Sequence, residues 1–221
     1  MENYRLKSVS RDRGWQENDL AYIPISLGNK YHYGKRLSCL LGWVAKRHTK
    51  IVINISDSLY RHNFVSEGMS GRTAYANALQ KGKEWRLEHQ LLFPEYNILK
   101  IHHWNDWLNH TSYLSLHQDI LCLYKLDNEF KKQIDTDISN FSNRKIRYSK
   151  SNSTAIEQSK KFLLEECACY ILIGRTYRAN RIYPGSTPNW LLYLRSSTVS
   201  EALQGCENLK NIHIKFKRIA P

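Results

Sequence analysis

Ser26 closes the apolar run Leu20-Ala21-Tyr22-Ile23-Pro24-Ile25 and is followed by Leu27-Gly28-Asn29. A run of that length before a turn predicts a buried strand with a hydroxyl at its tip, and in an open α/β sheet the strand tips face the ligand crevice. A serine there serves either as a nucleophile beside the permissive backbone of Gly28 or as an ordinary turn residue. The hydrolase pattern G-x-S-x-G is missing, because Pro24-Ile25 precedes Ser26. Neither G-x-G-x-x-G nor G-x-x-x-x-G-K-[ST] occurs, so no nucleotide cofactor is expected. Cys39, Cys122, Cys167, Cys169 and Cys206 form an odd set without C-x-x-C spacing, which predicts buried free thiols rather than disulfides or zinc. The histidines, including His102-His103 and His62, lack the i, i+4 spacing of a helical metal site, and no metal is expected.

Those residues must be positioned by elements that the hydrophobic pattern marks out. Apolar residues recur at helical spacing from 34 to 48, and Ile51-Val52-Ile53-Asn54-Ile55 reads as a second strand, so 20–55 forms a βαβ unit with parallel strands. Pro24 places the first strand at a margin or bulge, because proline gives the ladder no N–H. A long polar helix is predicted over 70–93, broken only by Gly82, and a third strand over 96–101. The segment 107–138 reads as helical with Leu114, Ile120, Leu121, Leu123, Tyr124 and Phe130 as core, and 140–153 as a polar connection. Thr154-x-x-Glu157 opens a helix to about 173 whose stripe includes Ile156, Leu163, Leu164 and Cys167. Arg181-Ile182-Tyr183 reads as a strand, Thr187-Pro188 as the cap and first residue of a helix over 189–194, and Ile212, Ile214 and Phe216 as a last half-exposed strand. The whole predicts an α/β fold, a single Rossmann-like domain over 1–221 with a mostly parallel sheet flanked by helices and a polar N-terminal arm over 1–18.

The chain of 221 residues carries a formal charge of +13, which favours a polyanionic partner. Two stretches without a carboxylate, 30–50 with Lys35, Lys46 and Arg47, and 167–200 with Arg175 and Arg178, are phosphate-contact candidates or solvated faces. No apolar run is long enough for a membrane span and no signal peptide is readable, so a cytoplasmic protein is expected, with a monomer as the default.

Ile25-Ser26-Leu27-Gly28-Asn29-x-Tyr31, Trp43, Asp57, Phe162-Leu-Leu-Glu-Glu166 and Tyr183-Pro184-x-x-Thr187-Pro188 together resemble the cyclodipeptide synthases over 20–188, with order and spacing preserved. The resemblance implies a domain similar to the catalytic domain of class I aminoacyl-tRNA synthetases that has lost ATP use and takes two aminoacyl-tRNAs as substrates. It implies Ser26 as nucleophile and Glu166 as the group that holds the substrate ammonium. Tyr183 would be a proton relay or orienting hydroxyl, Asn29 would orient backbone near the nucleophile, and Tyr113 would be a further pocket tyrosine. Glu166 shares a helix face with Phe162, just before the apolar run 167–173, and a carboxylate so placed needs a cationic partner.

The chain departs from the family pattern in two places. Phe162 stands where the family usually has a tyrosine, so its hydroxyl is dispensable or supplied by Tyr31, Tyr113 or Tyr170. Tyr183-Pro184 points to the Tyr-Pro branch of the family, whereas Asn29 is more typical of the Tyr-His branch. The basic helix that binds tRNA in the Tyr-His branch is matched thinly by Lys81, Lys83 and Arg86. Tyr22, Pro24, Gly28, Asn54, Ser56, Phe162, Cys169 and Arg181 are the expected pocket lining, unusually polar. Arg181 either favours an acidic or polar aminoacyl group or points outward to a phosphate. Two other function classes fit the same charge: a non-catalytic RNA-binding α/β protein, and an aminoacyl-tRNA hydrolase or transferase that uses Ser26 without ring closure.

Overall fold

Ile51, Ile53 and Ile55 turn one way from their strand and Val52 and Asn54 the other, and all five are buried. A strand buried on both faces belongs in the middle of a parallel sheet covered by helices on each side. The computed structural model, which describes residues 3–12, 20–145, 153–196 and 199–219, has that architecture. Its elements in chain order are β1 (Asn3–Arg11), β2 (Leu20–Ile25), α1 (Gly34–Ala45), β3 (Ile51–Ile55), α2 (Arg61–Ser66), α3 (Gly71–His89), β4 (Ile98–His103), α4 (Trp104–Leu108), α5 (Tyr113–Leu126), α6 (Asn128–Lys145), α7 (Ser153–Thr176), β5 (Ala179–Tyr183), α8 (Asn189–Leu194) and β6 (Leu209–Ile219). The six strands lie in the order β1-β6-β5-β2-β3-β4, and all neighbours are parallel except the antiparallel pair β1–β6. The expected mostly parallel, Rossmann-like sheet is present.

Strand alternation divides the core. Ala21, Ile23 and Ile25 of β2, Ile182 of β5 and Ile212 and Ile214 of β6 pack with α1 and with Trp85 of α3. Tyr22, Val52 and Ala179 face the opposite way, into a cluster built from α4 through α8. Cross-strand register puts Arg181 beside Tyr22 and beside Asn211, and Tyr183 beside His213. The face toward α7 therefore carries a row of polar groups where the other carries isoleucines.

Pro24 shows how the sheet accommodates an imino acid. The Ala21 N–H donates to Lys50 O at 2.9 Å and Ile25 O accepts from the Ser56 N–H at 3.0 Å, so the odd residues of β2 bond to β3 and the even ones face β5. Pairing with β5 ends at Tyr22 and Arg181. Pro24 thus faces a side where the ladder has stopped, and its missing N–H is not needed there.

Several expectations are corrected. The N-terminal arm is β1 over Asn3–Arg11, because Tyr4, Leu6 and Ser8 alternate with cations and Leu6 is buried against α1. The third strand runs Ile98–His103, two residues later than its apolar pattern suggests, because a 3-10 segment at Gln90–Glu95 takes up the chain before it. Leu114 and Ile156 are exposed, at 77% and 47%, since the faces that α5 and α7 bury start from Tyr113 and Leu164 instead. Pro188 is the N-cap of α8 rather than its first residue, with Asp137 accepting from the Trp190 N–H at 3.1 Å. The helix α6 continues to Lys145, and the remainder of the expected polar connection, 146–152, lies outside the described residues. Cys122 is exposed and Cys39 half-buried, while the other three thiols are buried.

Candidate active site

Ser26 follows β2 directly, and three hydrogen bonds fix the turn that carries it. Its carbonyl accepts from the Asn29 N–H at 3.0 Å, the Asn29 side chain accepts from the Tyr31 N–H at 3.0 Å, and Asn29 O accepts from the His32 N–H at 2.9 Å. Asn29 is thus the cap of the short 3-10 turn Lys30–His32. The Ser26 N–H donates to His32 Nδ1 at 2.9 Å. Gly28 has no positive φ, contrary to the expectation of a permissive backbone. A Cβ there would meet the Tyr60 ring at 3.2 Å, so space and not dihedral freedom calls for glycine.

His32 links the Ser26 turn to β5. It is fully buried, and burial pushes its imidazole down to about 4, the Ser26 carbonyl opposing and the Arg181 charge adding to the shift. With Nδ1 accepting, the proton of the neutral ring sits on Nε2, which is buried without a partner among the described residues. The ring lies 5.6 Å from that of Tyr183. The Arg181 guanidinium stacks over Tyr183 at 4.8 Å and over Tyr170 at 5.3 Å, and donates to Tyr170 Oη at 3.0 Å and to Asn211 Oδ1 at 3.3 Å. Arg181 is 4% exposed, which excludes the outward, phosphate-facing alternative.

Glu166 completes the group from α7. Burial pushes its carboxyl up to about 7, with the Arg181 charge opposing and the carboxylates of Asp137 and Glu165 adding. It keeps partial access to solvent, whereas Glu165 beside it is buried and spent on structure. Glu165 takes a two-pronged ion pair from Arg61 and a hydrogen bond from Trp104 Nε1 at 3.0 Å. Tyr22, Tyr170 and Cys169 complete the neighbourhood, Tyr22 edge-on to Tyr170 at 6.3 Å. The Tyr22 hydroxyl is buried without a partner among the described residues, and burial followed by Tyr170 raises its pKa well above the ordinary value. Tyr113 approaches from α5, its pKa raised by burial and then by Glu165 and Cys169.

The Ser26 turn, capped by Asn29, is therefore brought together with Tyr183, Glu166, Tyr22, Cys169 and Arg181 toward the carboxyl ends of the strands. Ser56 lies beside Ser26 across the β2–β3 pair. Asn54 sits deeper, its carbonyl accepting from Trp107 Nε1 at 2.7 Å and its amide nitrogen unpartnered. Phe162 packs edge-on to His62 at 6.4 Å. Tyr31 is stacked on Phe216 at 5.0 Å, on the α1 side of the sheet, and so cannot replace the hydroxyl that Phe162 lacks. Among the described residues no cluster of three or more His, Cys, Asp or Glu is placed to hold a metal ion.

The phosphate candidates separate by edge. Lys35 opens α1 beside the Ser26 turn, and Lys81, over the Tyr60 ring at 5.4 Å, and Arg86, against His103, flank the same edge with Lys83 exposed between them. Lys46, Arg47, Arg175 and Arg178 lie at the opposite edge, because they follow helices that lead into the starts of β3 and β5. There Arg47 stacks on Trp43 at 4.3 Å, and Arg175 donates to the carbonyls of Gln204 and Ala202.

A model of the cyclodipeptide synthase family matches residues 8–173, three quarters of the chain, from β1 through most of α7. The chain belongs to the cyclodipeptide synthase family. Among solved structures, a cyclodipeptide synthase from Fluoribacter dumoffii is 19% identical with a TM-score of 0.85, covering 99% of this chain and all of that one. The Mycobacterium tuberculosis cyclodipeptide synthetase, whose structure relates these enzymes to type I tRNA synthetases, is 17% identical with a TM-score of 0.70, over 89% and 85% of the two chains. A cyclodipeptide synthase from Candidatus Glomeribacter gigasporarum, solved with Phe-tRNAPhe, is 18% identical with a TM-score of 0.68, over 91% and 89%. No curated protein sequence matches. Within this family fold, Glu165, His32 and Asn211 are structural partners of the site that sequence reasoning missed. His32 lies six residues past Ser26, where only the turn geometry reveals its role.

Proposed function

We propose that this cyclodipeptide synthase joins two aminoacyl groups delivered on tRNA by acyl transfer through Ser26. Ser26 Oγ attacks the carbonyl carbon of the first aminoacyl ester; the bond to the terminal ribose breaks, the ribose oxygen leaves with the serine proton, and an aminoacyl-Ser26 ester remains. The amine of that ester attacks the carbonyl of a second aminoacyl-tRNA; the second bond to a terminal ribose breaks, its oxygen leaves with the proton the amine loses, and a dipeptidyl-Ser26 remains. Its free amine then attacks the seryl ester, closes the diketopiperazine ring and returns the hydroxyl. Each ester arrives activated, so no step calls for ATP, and the last is intramolecular, so orientation supplies much of its rate.

The observation that carries this reading is the convergence of the Ser26 turn, Tyr183 and Glu166 through His32 and Arg181 on one face of the sheet. Glu166, ionised, holds the substrate ammonium by a charge-assisted hydrogen bond, and the free hydroxyl of Tyr22 stands in for the one Phe162 lacks. Tyr183 orients or relays the proton that leaves Ser26. The Ser26 N–H is already given to His32 and is not available to a developing oxyanion. Mass spectrometry of medium from cells expressing wild type and Ser26→Ala tests the proposal: cyclic dipeptides that appear only with wild type support it. Hydrolysis of aminoacyl-tRNA without any diketopiperazine would instead select a hydrolase, and unaltered function in Ser26→Ala a non-catalytic RNA-binding protein.

A further inference from the structure

Asn211 lies in β6 beside Arg181 of β5, and Asp12 holds its backbone from the other side. The Asn211 N–H donates to Asp12 Oδ2 at 2.7 Å, its carbonyl accepts from the Asp12 N–H at 3.0 Å, and Asp12 is itself paired with Arg195. The main chain is thereby fixed, and the buried side chain has two polar contacts. Oδ1 accepts from Arg181 Nη1 at 3.3 Å, and Nδ2 donates to Thr187 Oγ1 at 2.9 Å. A guanidinium only donates, so the amide oxygen must face Arg181 and the amide nitrogen is left for Thr187. One short side chain here supplies an acceptor and a donor at once.

Those contacts close a circuit around Tyr183. The Tyr183 hydroxyl makes no hydrogen bond among the described residues, so what packs on its ring sets its direction. The Arg181 guanidinium lies over that ring at 4.8 Å. Gly185 comes so near it that a Cβ there would stand 3.1 Å from Tyr183 Cε1 and 3.2 Å from Cδ1. Gly185 and Thr187 belong to one strap, which leaves the end of β5 and enters α8. The far end of the strap is anchored by Asp137, which accepts from Asn189 Nδ2 at 2.8 Å and from the Trp190 N–H at 3.1 Å. Between Pro184 and Pro188, the bond from Asn211 to Thr187 is the one side-chain hydrogen bond among the described residues. From Tyr183 the circuit runs through Arg181, Asn211 and Thr187 and returns along the chain through Gly185.

We propose that Asn211 is a positioning residue for Tyr183, one that sets the direction of the phenol by tying Arg181 to the strap at Thr187. This rests on the function proposed above, in which Tyr183 orients or relays the proton that leaves Ser26. Asn211 touches no reacting atom. Orientation lost at the phenol is felt in the transition state, so kcat and kcat/KM fall together while KM holds.

The test measures kcat and KM on aminoacyl-tRNA for wild type, Asn211→Leu, Thr187→Val, Thr187→Ser and the double variant N211L/T187V, with hydrogen exchange of the amides at 185–187. Asn211→Leu and Thr187→Val each lower kcat about tenfold or more with KM within about twofold, because small misplacements of a catalytic group are that costly. Thr187→Ser keeps the hydroxyl and recovers most of the rate. The double variant is no slower than Asn211→Leu alone, since Thr187→Val cuts a contact already gone. Exchange at 185–187 quickens in both single variants. Losses that multiply in the double variant, equal rates for Thr187→Ser and Thr187→Val, or a loss in KM with kcat intact overturn the proposal. Thr187 is half-buried on the strap, so its two variants decide the matter even where Asn211→Leu does not fold. If wild type makes no cyclic dipeptide from any aminoacyl-tRNA, the function reading fails. Hydrogen exchange then decides the role of Asn211 on its own, and unchanged exchange at 185–187 in Thr187→Val overturns it.

Discussion

The Ser26 N–H donates to Nδ1 of the buried His32 at 2.9 Å, which ties the backbone of Ser26 to a ring packed against Tyr183. The bond requires a neutral imidazole with Nδ1 free, the state that burial enforces by holding the ring near 4. The unfolded chain, with a histidine of ordinary value 6.5, takes up its proton first as pH falls. Stability from this residue is thus complete above about 6.5 and is lost as pH falls toward 4. His32→Ala leaves a part-buried N–H unmatched, costs about 1–3 kcal/mol and lowers kcat at least tenfold. Melting curves against pH check it: the acid slope between about 6.5 and 4 is to be shallower in the variant.

Glu166 shows the opposite linkage. Its folded value of about 7 lies above the ordinary 4.5, so the unfolded chain releases its proton first as pH rises. The destabilisation grows between those values and is complete above 7. A tenfold change in an ionisation constant is worth about 1.4 kcal/mol, and the carboxyl's partial access to solvent reduces the total. Glu166→Gln is therefore expected to gain on the order of 2 kcal/mol at pH 8 while losing acyl transfer. In wild type, kcat/KM should climb with pH through about 7, as the carboxylate proposed to hold the ammonium forms. Denaturant melts of the two proteins at pH 5 and pH 8 read the first effect, and a pH–rate profile the second.

Gly82 was legible only as a flaw in a helix. A Cβ there would lie 2.4 Å from the Asp57 Cβ, which no side-chain adjustment relieves. Asp57 caps the turn after β3, accepts from the Ser58 and Trp104 N–H groups at 2.8 and 2.9 Å, and meets His103 Nδ1 at 2.6 Å. Gly82→Ala pushes α3 off that hub and is expected to cost about 1–3 kcal/mol, whereas Gly71→Ala, with open space at its Cβ, costs little. Chemical denaturation of both variants measures the contrast.

Arg181 is buried among Tyr170, Tyr183 and Asn211, beside the Tyr22 hydroxyl, which has no partner among the described residues. A lining so rich in donors favours an aminoacyl group that brings an acceptor, such as a carboxylate or an amide. Product profiling of Arg181→Leu should show a shift toward apolar cyclic dipeptides. An unchanged product spectrum would remove the idea.

Much of this was readable from the chain because it depends on local pattern. The alternation of Ile51, Ile53 and Ile55, the helical spacing of Leu37, Leu40, Leu41 and Val44, and the turn after Ser26 each belong to one short segment. What escaped depends on pairing between distant segments. Tyr4 to Arg11 alternates like a strand, but its partner lies some two hundred residues away, and only that partner makes a strand of a polar arm. Glu165 and Glu166 are adjacent in sequence and opposite in fate, because Arg61 and Trp104 reach one and not the other. The footprint candidates Arg175 and Arg178 failed to join the crevice for a topological reason, since a helix leading into a parallel strand ends at the far side of the sheet.

Pro24 carries a last consequence. Any other residue at that place would hang an amide hydrogen into the gap between the two central strands, where it would capture water or a neighbouring carbonyl and draw the gap shut. The imino ring offers nothing to zip. The parting of the two central strands beyond Tyr22 is accordingly written into covalent chemistry and not left to side-chain packing.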